Sequence, residues 1–325
     1  MKQYFPEYYR AFQCIAGACP DSCCKEWTVD VDDSAAAYYR SLEGALGDRL
    51  RSVLQDTEDG TIMEIEDGRC PMWRQDGLCR IHAELGHDAL CKTCREFPRL
   101  RHDYGDFVEL GLELSCPAAA KLILNGGAML SEDVSGGEEP EYDPEVMAIL
   151  KESRQQALAV LEDYPLPQAL AVILLYAHDV QAQIDGEEAV VFQPDALLDE
   201  AKGYVGKADV DGIFRFFTGL EILTEDWAKM LANAPAQIRW SKPLMQYLIG
   251  RYWLQAVSDF DLICRVKFMV TACILVGSLE GDFLRAAQLF SKEIENDAEN
   301  VEAVLDGAYR SPALTDLNLF AILLG

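Results

Sequence analysis

GRCPMWRQDGLCRIHAELGHDALCKTCREFPR, residues 68–99, carries Cys70, Cys79, Cys91 and Cys94 in one short stretch. Asp76-Gly77 is a turn signal between the first two, which places Cys70 and Cys79 on the arms of a hairpin. Cys91-Lys-Thr-Cys94 is a C-x2-C pair, a spacing that lets two thiolates address one ion from a single turn. Upstream, FQCIAGACPDSCCKEWTVDVD (residues 12–32) adds Cys14, Cys19, Cys23 and Cys24, and Cys116 follows downstream. Of the 11 cysteines, nine lie before residue 117, and only Cys264 and Cys273 lie beyond it.

The redox compartment decides how those thiols are read. No positively charged segment followed by an apolar core opens the chain, and no apolar run is long enough to span a bilayer, so a cytoplasmic protein without membrane contact is expected. Cytosolic thiols stay reduced and serve metals or catalysis. Cys14, Cys19, Cys23, Cys24, Cys70, Cys79, Cys91, Cys94 and Cys116 therefore form a ligand pool for zinc or for an iron–sulfur cluster, each of which needs four. Spacing alone does not choose between these two centres. The bacterial ferredoxin run is absent, and the C-x3-C-x2-C triad fails because Glu26 stands where its third cysteine belongs. His82 and His87 lie between Cys79 and Cys91, but read more simply as surface or capping histidines.

The remaining pattern is mainly α. A small Cys-rich α+β domain with short hairpins is expected over 1–125, an acidic Gly-rich linker (GGAMLSEDVSGGEEP and its flank) over 126–143, and an α-helical bundle domain over 144–325. Ser34 to Gln55 reads as one helix, TIMEIE (61–66) as a half-buried strand, and FVELGLEL after Tyr104-Gly105-Asp106 as another. Beyond residue 143 the apolar period of 3.6 predicts helices over 144–163, 166–184, 208–230, 237–256, 259–277, 279–297 and 298–308, with a short connection at 231–236. Trp227, Trp240, Trp253 and the phenylalanines at 214, 216 and 217 read as core.

A net charge of −27 argues against nucleic acid and anionic membranes, whose recognition rests on cations. It would draw in a cationic partner or substrate through an attraction that salt screens. No G-x-G-x-x-G turn marks a Rossmann-type site for S-adenosylmethionine.

Four blocks together resemble the flagellin lysine N-methylase family and the wider group of zinc- or iron-chelating proteins named for a CxxxCxxCC pattern. They are Cys23-Cys24 with Trp27, Cys70 to Trp73, Gly77 to Ile81, and Leu90 to Arg99. The Cys19-x3-Cys23-Cys24 spacing is one residue longer than the usual C-x2-C-C ending, so the local loop differs. The resemblance implies a methyltransferase moving a methyl group from S-adenosylmethionine to lysines of flagellin, in the cytoplasm, with a [4Fe-4S] cluster on cysteines of the motif. By position it favours Cys19, Cys23, Cys24, Cys70, Cys79 and Cys94, then Cys91 and Cys116, then Cys14. No catalytic or donor-binding residue follows from it. The alternative is a non-enzymatic zinc- or iron-chelating protein whose helical half binds a partner.

Overall fold

The computed structural model describes residues 1–25, 27–204, 206–233 and 235–325. The chain is mainly α, with two small sheets. The strands are β1 (Lys2–Pro6), β2 (Val29–Val31), β3 (Leu54–Thr57), β4 (Gly60–Met63), β5 (Arg99–Asp103), β6 (Phe107–Leu112) and β7 (Met129–Asp133). One sheet runs β5-β6-β1-β7, with β1 parallel to β6 and antiparallel to β7; the other runs β2-β4-β3. No helix among the described residues is long and apolar enough to cross a membrane.

Two separate cores hold these elements. The larger joins the helical body to Phe107, Leu112, Leu114 and Ile123, so the sheet containing β1 and β6 is packed on the helices. The smaller is built from Val29, Val31, Tyr39, Leu50, Met63 and Met72, with Cys70 and Cys91 filling core positions. Free cysteine packs as a small hydrophobe, which is how two thiols come to be buried in so small a lobe. Within the acidic stretch 126–143, Met129–Asp133 supplies β7 and the Val134 amide donates to Met1 O, which brings the stretch against the chain's first residues.

Helix boundaries follow the local chemistry. Asp143 accepts from the Glu145 and Val146 amides, and Pro144 occupies the first helical position, so a helix starts there and runs to Asp163. The Leu166–Ile184 and Ile263–Ser278 helices are the innermost, the second buried at every position from Cys264 onward. Three stretches expected as single helices are broken. Residues 33–53 divide at Leu42-Glu43, where Gly44 adopts a left-handed φ of 79°. Residues 210–232 divide because Thr224 caps a new helix and the Glu221 and Leu223 amides donate to Asn300 and Glu293. After Phe290 the Phe283–Phe290 helix widens into a π-turn, Ser291–Glu295, wholly buried. The connection expected at 231–236 includes Ala234, outside the described residues.

Candidate metal centre

Three chain segments bring the cysteines together. The first is the loop after the Ala16–Ala18 turn. There Asp21 accepts from the Ser22 amide, Ser22 Oγ accepts from the Cys24 amide, and the Cys70 amide donates to Cys24 O at 2.8 Å. The second is the tight turn from Cys70 to Cys79, closed by the Trp73–Cys79 bridge and by the Arg80 amide on Met72 O. It has the hairpin topology expected for Cys70 and Cys79, with only an isolated bridge in place of paired strands. The third is the short Lys92–Glu96 helix. Cys91 stands at its N-cap and Cys94 one turn on, and Asp32 Oδ1 accepts from the Lys92 amide at 2.7 Å.

The thiols fall into two groups by their mutual influence. Cys24 is in side-chain contact with Cys23 and Cys70, and Cys91 with Cys94. Cys79 feels Cys70 and Cys23, and Cys94 also feels Cys23 and Cys70, so these six form one cluster. Cys14, Cys19 and Cys116 interact with one another, and Cys19 with Cys23, as a neighbouring trio. All are free thiols, as are Cys264 and Cys273 in the helical body. His82 and His87 are exposed and pack against each other, rings 5.9 Å apart.

Electrostatics splits the cluster into donors and acceptors of protons. Contact with Cys24 lowers Cys23 to about 7 against the opposing effect of burial, and contact with Cys94 lowers Cys91 to about 7 in the same way. Their partners Cys24 and Cys94 are raised, because each keeps its hydrogen to give to its neighbour. Burial raises Cys116 to about 11. Low-pKa thiols are the ones that ligate soft metals and react as nucleophiles. Among the described residues, no group of three or more His, Cys, Asp or Glu side chains stands in the arrangement that grips an ion.

A layer of buried charge lies between this lobe and the helices, and the sequence did not announce it. Asp21, only 6% exposed, accepts from Arg285 Nη1 at 3.0 Å, Gln288 Nε2 at 3.1 Å and Lys292 Nζ at 3.4 Å. Burial alone would raise its pKa; Lys292, the Ser22 amide, Arg285 and Gln288 outweigh that and hold it at about 2. Lys292, 1% exposed and in the π-turn, also lies over the Trp27 ring at 5.0 Å, three residues after Cys24. From the same turn, Glu295 accepts from Tyr252 at 2.9 Å and Tyr247 at 3.0 Å and faces Arg251 at 3.5 Å. Glu113, hydrogen-bonded to Ser115, is pushed up by burial with Arg251 opposing. The one clue in the sequence was SKEIE, charges inside an otherwise apolar helical stretch; Asp21 sat unremarked between Cys19 and Cys23.

No family model matches the sequence, and no solved structure matches it. Over 130 residues, 37% of this chain, it is 34% identical to the flagellar biosynthetic protein FliU of Salmonella muenchen, covering 75% of that protein. Over the same length it is 33% identical to the lysine N-methylases of Salmonella typhimurium and Salmonella choleraesuis, covering 32% of each. The match thus spans about a third of those methylases and three-quarters of FliU. With that much of FliU matched at that identity, the chain belongs to the flagellin lysine N-methylase family.

Proposed function

We propose that the chain is a protein lysine N-methyltransferase that takes a methyl group from S-adenosylmethionine to lysines of flagellin. In this reading, the ligands of a [4Fe-4S] cluster are drawn from Cys23, Cys24, Cys70, Cys79, Cys91 and Cys94. Family membership supports the reaction, and the observation that carries the inorganic part is the convergence of six unbridged thiols from three segments. In kind and number these donors fit a thiophilic centre, with neither carboxylate nor imidazole among them. In the structure Cys24 touches Cys23 and Cys70, and Cys91 touches Cys94. When bound, a cluster with one iron not capped by cysteine would offer a Lewis-acidic position for the donor's amino and carboxylate groups.

The protein must also supply a neutral amine. A lysine near pKa 10.4 is free base in roughly 1 part in 2,500 at pH 7, a deficit of about 4.6 kcal/mol. The ammonium first gives its proton to solvent; the amine lone pair then forms a bond to the methyl carbon, and the carbon–sulfur pair stays on sulfur. The acidic surface attracts the lysine as its ammonium, and the buried layer beside the thiols excludes water from the seam.

The test is anaerobic purification, metal and sulfide analysis, and incubation with flagellin and methyl-labelled donor. Iron with acid-labile sulfide, and label recovered in methyllysine, are expected. Stoichiometric zinc, with no label from a fully loaded preparation, would replace this reading with the non-enzymatic chelator.

A further inference from the structure

A cavity lies away from the cysteines, with none of them in its lining. It measures about 900 Å³ and opens between the β5–β6 turn, the acidic stretch near residue 140, and the segment around Phe260. Its charge is lopsided. Glu138, Glu139 and Glu141 line it, all exposed, and none has an ion-pair partner among the described residues. Of the cations at the cavity, Arg101 is engaged by Asp103 at 2.6 Å, and the Met1 amino group by the Val134 and Gly136 carbonyl oxygens.

Its walls are aromatic and fixed. Tyr104 stacks on Phe107, ring centroids 4.6 Å apart, and meets Tyr142 edge-on at 6.4 Å, while Tyr142 donates to Asp106 at 2.8 Å. Opposite, Phe260 is 46% exposed and adopts φ 60°, a conformation that a bulky residue rarely takes. Hydrogen bonds hold it there: its amide donates to Ala256 O at 2.8 Å, and its own carbonyl accepts from Gln181. A further polar atom is left over. His102 also lines the cavity, and its Nε2 is buried with no hydrogen-bond partner among the described residues. Burial, reinforced by Arg251 and opposed by Glu109, lowers the pKa of this imidazole, and a neutral ring can accept a hydrogen bond at that nitrogen.

We infer that this cavity is a docking site for lysine side chains of the protein substrate, distinct from the cysteine cluster. Unpaired carboxylates attract the ammonium, and aromatic faces accept it and its methylated forms. The choice of a lysine-bearing protein as occupant rests on the methyltransferase reading; the preference for an organic cation does not. Gly105 lets the acidic stretch pack close at the cavity: a Cβ there would lie 3.0 Å from Glu139 O and Pro140 Cα.

The probe is a short lysine-bearing peptide from flagellin, compared with the same peptide acetylated at every lysine, titrated into the full chain at low and high salt. The unmodified peptide should bind, more weakly as salt rises, and the acetylated one should not. The triple variant Glu138→Gln, Glu139→Gln, Glu141→Gln should bind it roughly tenfold more weakly, the sum of three screened contacts. Phe260→Gly removes the ring and suits the positive φ, so it should lose affinity while its melting temperature holds or rises. Equal binding of both peptides, or wild-type affinity in both variants, would overturn the site. Peptide binding without methyl transfer would count against the activity and leave the site standing. Full transfer with an unchanged KM in the triple variant would do the reverse.

Discussion

The helical body and the thiol lobe bury their chains by different means. In the body, Leu170, Trp253, Phe268 and Phe290 are enclosed by other apolar side chains, and its two cysteines are ordinary core residues. The lobe has a short list of apolar residues and gives core positions to Cys70 and Cys91, groups that pack like small hydrophobes yet can ligate or react. A lobe of that size has little apolar surface to bury, and domains this small are commonly completed by a metal. Stability in the body is thus written in volume, and in the lobe in chemistry. The seam between them belongs to neither kind, since it is held by ion pairs around Asp21.

The contrast can be broken first by volume. Trp253 is fully buried and its indole N–H donates to Ser153 Oγ at 3.1 Å. Trp253→Ala should cost about 3–5 kcal/mol in denaturant unfolding, whether or not metal is present. The lobe should behave oppositely, its unfolding shifting with metal content and little with that substitution. A Trp253→Ala loss below about 1 kcal/mol would mean that the body is not the apolar anchor described here.

The cysteines sharpen the same contrast by rate. Exposed Cys23 sits at about 7 through contact with Cys24, while burial lifts Cys264 of the body to about 12. At pH 7 the difference in thiolate fraction, tempered by the lower nucleophilicity of the more acidic thiol, amounts to roughly a few hundredfold in alkylation rate. Iodoacetamide on metal-free protein, followed by peptide mapping, should label Cys23 long before Cys264. Loading with metal should abolish the early label, and comparable rates at both sites would erase the distinction.

Much of the body was legible because apolar period and caps act locally: Asp143-Pro144 fixes one helix start, and residues 144–163 and 166–184 appear as expected. The break at Gly219–Leu223 was not, since it depends on partners far along the chain, Asn300 and Glu293 for the Glu221 and Leu223 amides. The cysteines announced themselves by spacing. That Cys24 meets Cys70 depends on a backbone bond that joins their distant segments. The burial of Lys292 and Glu295 was hard to read for a simpler reason: a charged residue on an amphipathic helix reads as solvent-facing until its neighbours are known.

The seam offers the smallest test and the most specific. Asp21→Asn keeps the shape but removes the charge that Arg285 and Lys292 both face, which should cost about 2–3 kcal/mol, the scale of hydrogen bonds to a charged group. The sign with pH follows from its lowered pKa. In the unfolded chain an aspartate titrates near 3.9, in the fold near 2, so its contribution is present above pH 4 and lost as pH falls toward 2. The wild type and Asp21→Asn should therefore differ most at neutral pH and converge in acid, as measured by paired denaturant titrations at pH 7, 4 and 2.5. A difference that persists unchanged to pH 2.5 would show that the carboxyl, and not its charge, holds the two regions together.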